Sequence, residues 1–134
     1  MTRGETEKRD CGRFSIPGAT VSFRKKKLLS KKKGYDVDYC PVLDISLGGV
    51  RFLSQSYIKE NTELSLKIDM PDEDLPLRVE GRVVWGYTWG EKSFKYQFGV
   101  RFNPYGRGKG ENHPDVLRRI QALESLYCNP EETG

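Results

Sequence analysis

Asp44 and Ser46 stand two residues apart in the stretch LDISLGGVRF, and Gly48 and Gly49 follow at once. In an extended strand this spacing puts the carboxylate and the hydroxyl on one side. Glycines at that point permit backbone angles closed to other residues and let a neighbouring group come close. The set can form a small polar platform on which a ligand rests against the backbone. It can equally be an Asx or serine turn that closes a hairpin. Upstream, Arg9 and Arg13 lie four apart in RDCGR. Each guanidinium is a planar fork of donors that fits a phosphate or the O6/N7 edge of guanine. A carboxylate complements guanine's other edge, where N1–H and the N2 amino group donate. The two arginines and Asp44 together suit a ligand that carries both guanine and phosphate.

Positioning such a set requires strands. Residues 19–24 have β character, and residues 25–38 read as a loop with lysine triplets at 25–27 and 31–33. Residues 39–46 and 49–54 flank the glycines. Residues 62–69 alternate cleanly, with Leu64, Leu66 and Ile68 on one face. Residues 77–85 alternate again and place Leu77, Val79, Gly81, Val83 and Trp85 together. A glycine in the middle of that run suggests a bend or bulge. Residues 94–102 put Phe94, Tyr96, Phe98, Val100 and Phe102 on one side and Lys95, Gln97, Gly99 and Arg101 on the other. The glycine-rich run 103–112 is a connector without a phosphate-loop pattern. Residues 113–127 read as a helix, with Pro114 at its first position, Asp115 in its first turn and His113 at its cap. Its apolar face is Val116, Leu117, Ile120, Leu123 and Tyr127. About six strands with one apolar face each imply an antiparallel barrel or sandwich, and one helix can cover an open end.

Composition fits one domain with a modest core: 134 residues, 36% hydrophobic and 31% charged. No apolar run approaches the ~20 residues of a membrane span, so membrane insertion is not expected. The first residues lack the apolar segment of a secretory signal, and a cytoplasmic location is the expectation. Charge is uneven. Residues 1–33 carry 11 Lys and Arg against 3 acids, whereas the remainder carries 12 against 16. A basic front favours an anionic partner or is a solvated arm. Cys11, Cys40 and Cys128 are widely spaced and the chain has a single histidine, so no metal site is expected. Free thiols in a reducing compartment are expected instead. Cys11 is a spectator between the two arginines, and no cysteine–histidine pair supports an enzyme.

The two motifs in order, R-x-x-x-R at Arg9–Arg13 and D-x-S-x-x-G at Asp44–Ser46–Gly49, resemble the signature of the PilZ domains. The runs VLDISLGGVRF, LPLRVEGRVVW and FGVRF are similar to that family too, over nearly the whole chain. The resemblance implies an all-β fold, a six-stranded antiparallel PilZ-type barrel with one C-terminal α-helix. It implies residues 1–13 as a flexible arm carrying R-x-x-x-R, residues 14–127 as barrel plus helix, and residues 128–134 as a disordered tail. It also implies a receptor for the bacterial second messenger cyclic di-GMP, with no cofactor and no enzymatic turnover. Arg9 and Arg13 would grip guanine edges and phosphates. Asp44 would accept from the polar edge of guanine, and Ser46 would add a hydrogen bond nearby. Gly49 would hold the turn and Gly48 leave room. Trp85, outside the signature, could pack on a purine face. Many members carry further arginines directly before the pair. Here Glu7 and Lys8 stand there, and Lys8 offers a phosphate a point charge without a fork. Ligand binding would order the arm and expose a surface for an unidentified downstream protein.

Two other readings stand beside this one. The lysine triplets on a small barrel could bind single-stranded nucleic acid, a partner ranked below the dinucleotide. The chain could also be a barrel of the same type that acts as an interaction module without a ligand.

Overall fold

The computed structural model describes residues 12–26, 34–88, 90 and 93–128. The strands are β1 (Arg13–Phe14), β2 (Thr20–Lys25), β3 (Val37–Ser46), β4 (Gly49–Ser54), β5 (Glu63–Asp69), β6 (Leu77–Thr88) and β7 (Tyr96–Phe102), and helix α1 spans Pro114–Tyr127. The sheet order is β1-β3-β2-β5-β6-β7-β4, and a further β3–β4 pairing joins its ends. Strands β2 to β7 thus close a six-stranded antiparallel barrel, with β1 as an extra strand on β3. Closure leaves no long unpaired edge.

Alternation drives this arrangement. The inward residues of each strand, among them Val21, Phe23, Ile45, Val50, Phe52, Leu64, Leu66, Ile68, Val83 and Phe98, are all buried. Phe52 packs between Phe23 and Phe98, with ring centroids 5.7 and 5.9 Å away. The helix begins where expected. His113 is its N-cap, its Nδ1 accepting the Asp115 N–H at 3.0 Å, and Pro114 follows. Ile120 and Leu123 are buried, and the half-buried Val116 and Tyr127 pack against the core, so four of the five expected apolar residues face it. Asn112 ties the glycine-rich connector down. Its side chain accepts from Glu80 N at 2.8 Å and donates to the carbonyls of Glu80 and Asn103 at 3.0 and 3.1 Å.

Several expectations shift. Strand β3 begins at Val37 rather than 39, and β7 begins at Tyr96, leaving Phe94 and Lys95 outside it. Between Val83 and Trp85 the register slips, because consecutive Val100 and Gly99 of β7 oppose these two residues spaced by Val84. This bulge turns Trp85 away from the core face that Leu77, Val79, Gly81 and Val83 share. A second bulge lies between Val21 and Phe23, which oppose Cys40 and Val37. There Tyr39 adopts φ 58°, a region in which side-chain-bearing residues are strained. Cys40 is a free, buried thiol. Cys128 is disulfide-bonded. The expectation of free thiols thus holds at Cys40 and is corrected at Cys128, while Cys11 lies outside the described residues. No helix among the described residues is long and apolar enough to cross a membrane.

Candidate functional site

Arg13 and Asp44, 31 residues apart in sequence, meet on the outer surface of the barrel. The short strand β1 does the positioning. Phe14 is buried opposite Ile45, so its neighbour Arg13 must point outward, directly opposite Ser46. Arg13 Nη1 donates to Asp44 Oδ1 at 3.1 Å. Asp44 is itself buried, with only 7% of its surface exposed. A buried carboxylate needs charge-assisted partners. Its second partner is Arg51, directly across the β3–β4 hairpin. Arg51 Nε donates to both carboxylate oxygens at 3.0 Å, and its Nη2 donates to Oδ2. The hydrogen bond to Asp44 holds the Arg51 guanidinium above its ordinary pKa.

The turn after Asp44 is a serine turn. Ser46 Oγ accepts the Gly48 N–H at 3.2 Å and donates to the Gly49 carbonyl at 3.5 Å, a long contact. Two hydrogen bonds to its backbone carbonyls brace the turn from outside. Tyr105 Oη donates to Leu47 O at 2.5 Å, and Phe102 N donates to Gly48 O at 2.8 Å. Gly48 has open space where a Cβ would stand, whereas a Cβ on Gly49 would lie 2.2 Å from the Val100 carbonyl oxygen. Gly49 is therefore required by the close passage of β4 against β7.

Above this turn lies a cavity of about 400 Å³. Arg13, Ser46, Arg51, Trp85 and Arg101 surround a floor that contains Gly48, Gly49 and Gly99. The Trp85 ring covers Gly99, where a Cβ would come within 2.2 Å of it. The same indole stacks on Tyr87, centroids 5.2 Å apart and planes 18° apart. The walls carry three guanidinium groups, and the Asp44 carboxylate behind them is already held by two of the three. Such a site attracts anions, offers hydrogen-bond donors in forks and has an aromatic side.

Of the expected site residues, the structure brings together Arg13, Asp44, Ser46, Gly48, Gly49 and Trp85. Arg9 and Lys8 lie outside the described residues. Arg13 was expected at the end of an arm and is held in β1. Asp44 was expected to offer open acceptors, but its oxygens are taken by Arg13 and Arg51. Arg51, Tyr87 and Arg101 were not anticipated. Arg51 was within reach of counting, since a two-residue loop at Leu47–Gly48 pairs it with Asp44. Lys25 and Lys26 are the described members of the lysine triplets, and Lys26 is ion-paired with Glu80 at 3.0 Å.

Residues 12–113 match the family model described as PilZ domain, which takes in the site from Arg13 to Arg101. The chain belongs to the PilZ domain family. That family consists in general of cyclic di-GMP receptors, binding domains rather than enzymes. Two solved structures are similar to it. One is a Xanthomonas campestris protein described as a tetrameric PilZ domain self-assembled via a helical bundle. It is 21% identical, with a TM-score of 0.44, over 66% of this chain and 46% of that one. The other is the Bacillus subtilis inhibitor of motility MotI/DgrA. It is 16% identical, with a TM-score of 0.47, over 84% of this chain and 48% of that one. The chain thus spans about half the length of these two proteins. Comparison with the curated proteins finds no match.

Proposed function

We propose that this PilZ domain binds cyclic di-GMP in the cavity between Arg13, Trp85 and Arg101, and that the bound form is read by a protein partner. One observation carries the reading: three guanidinium groups and an indole surround a glycine floor, with a single carboxylate already neutralised beneath them. The two phosphodiester charges of the ligand match the excess positive charge of the walls. The arginine forks fit the O6/N7 edge of guanine, and the indole offers a face or edge for a purine.

Arg13 is the element that changes. Its side chain is 55% exposed while it holds Asp44 at 3.1 Å. A phosphate or guanine edge competes with the carboxylate for its donors. Asp44 keeps Arg51 in either case, so the carboxylate is never left unpaired. When Arg13 turns to the ligand, one lone-pair position of Asp44 opens for the guanine N1–H or amino group. Ligand binding orders the arm that carries Arg9 and Lys8, and a partner reads the result. In this reading the ligand is bound and released, in keeping with a family of binding domains rather than enzymes.

Calorimetric titration with cyclic di-GMP, alongside GTP and cyclic di-AMP, tests this. Selective binding to the wild type, lost in Arg13→Ala and weakened in Asp44→Asn, is the expected result. The absence of heat at high micromolar cyclic di-GMP would leave a ligand-free interaction module.

A further inference from the structure

Two outward rows of residues cross the barrel side by side. Directly opposed residues on neighbouring strands share a face, so each row follows from the register. The first runs Arg13, Ser46, Gly49, Arg101 and Arg82. The second runs Asp44, Arg51, Gly99 and Trp85. The second holds what a base needs: an aromatic ring at one end and a polar, charge-assisted edge at the other. The first holds cations and small residues. Between Arg13 and Arg101 stand only a serine and a glycine, across three strand spacings or roughly 14 Å.

Arg101 sits uneasily in the unliganded protein. It is exposed and directly opposite Arg82 on β6. Like charges so placed repel. Arg82 is compensated, its Nη2 lying 3.3 Å from Glu63 Oε2 on the next strand. The Arg101 side chain makes no hydrogen bond or ion pair among the described residues. Yet it lines the same cavity as Arg13. An uncompensated guanidinium beside another cation, facing a cavity, is a poor stabiliser of the fold and a ready binder of an anion.

We propose that Arg101 is a phosphate-binding arginine of this site: it holds the ligand's sugar–phosphate ring from the side opposite Arg13, while the base lies over the Arg51–Gly99–Trp85 row. This rests on the reading of the cavity as a cyclic di-GMP site. The role divides the site by chemistry. Arg101 supplies affinity for phosphate and is indifferent to the base. The second row supplies selectivity for guanine.

The test is titration of cyclic di-GMP and cyclic di-AMP at several KCl concentrations on wild type, Arg101→Gln, Arg101→Lys and Arg82→Gln. A charged hydrogen bond lost without a replacement corresponds to about ten- to a hundredfold in affinity. Arg101→Gln is expected to weaken cyclic di-GMP by that factor and flatten its salt dependence. The ratio between the two dinucleotides should be unchanged. Arg101→Lys should recover part of the affinity, and Arg82→Gln should bind as wild type does. The Arg101→Gln protein should melt no lower than wild type, since its repulsion with Arg82 is gone. A merely structural role would instead lower the melting temperature. Wild-type affinity and salt dependence in Arg101→Gln would overturn the assignment and leave the receptor reading intact. So would an equal loss in Arg82→Gln, which would reduce the effect to the general field of the surface. Failure of the wild type to bind cyclic di-GMP would overturn the receptor reading itself, and the role of Arg101 with it.

Discussion

Arg51 grips the Asp44 carboxylate from directly across the hairpin, its Nε 3.0 Å from each oxygen. Asp44 is thus less an acceptor waiting for a ligand than the post to which two arginines are tied. Removing Arg51 leaves a buried carboxylate with only the exposed Arg13 as partner. Arg51→Gln is expected to lower stability by about 1–3 kcal/mol, below the cost of a fully buried pair because the Arg51 side chain is 36% exposed. Asp44→Asn should cost less, about 1–2 kcal/mol, since both arginines it releases can turn to water. Urea denaturation of the two single variants and the double variant measures the coupling. Strict additivity would mean that the pair is not a unit.

The glycines of the site do different jobs, and alanine substitutions separate them. A methyl on Gly49 meets the backbone oxygen of Val100 at 2.2 Å, and two strand backbones cannot easily part. Gly49→Ala should lose about 2–4 kcal/mol or fail to fold. Gly48 has nothing within 4 Å, so Gly48→Ala should stay within about 0.5 kcal/mol of wild type. Gly99→Ala meets the Trp85 ring, which can lift off the sheet. That variant should fold, show altered tryptophan emission and bind cyclic di-GMP more weakly. Unchanged emission would mean that Trp85 does not rest on Gly99.

Much of this fold was legible because inward and outward residues alternate over long strands, as in residues 62–69 and 77–83. What escaped the alternation was local irregularity. Trp85 moves to the outer face because Val84 is an extra residue, and a bulge carries no sequence signal beyond a break in period. Strand β1 is two residues long, too short for any period, and exists because Phe14 is buried. Within the site, Asp44, Ser46 and Gly49 are neighbours in sequence, and a motif finds them. Arg51 could be found by counting back from a two-residue loop. Arg101 could not, because its place beside Gly49 depends on the register between β4 and β7.

Cys40 is 2% exposed, and burial pushes its thiol from 9.0 to about 11. Burial likewise pushes Tyr105 from 10.0 to about 12. In both cases the folded state favours the neutral form, so the stabilisation is complete below the unfolded pKa. It is lost as pH rises through the folded value. Stability should be level up to about pH 9 and fall between about 9 and 12. Cys40→Val should delay the onset of the fall to about pH 10, where Tyr105 begins to contribute. Chemical denaturation at stepped pH checks this. A Cys40→Val curve parallel to wild type from pH 9 would show that the thiol does not contribute.

Tyr105 reaches 58 residues back in sequence to donate its hydroxyl to Leu47 O at 2.5 Å, inside the turn that carries Ser46 and Gly48. The connector that bears it is fastened to β6 by Asn112, so the brace is rigid at both ends. Tyr105→Phe keeps the ring packing and leaves the Leu47 carbonyl without its donor. An unpaired, partly buried carbonyl costs about 1–2 kcal/mol. The turn remains tied through Phe102 N and Gly48 O, so it should loosen without unfolding. Amide exchange at Leu47, Gly48 and Gly49 should accelerate in this variant while exchange in β2 and β5 stays as in wild type. Cyclic di-GMP should bind several-fold more weakly, since ligand binding must now order the turn as well. Uniformly faster exchange across the barrel would instead make Tyr105 a general stabiliser with no particular hold on the site.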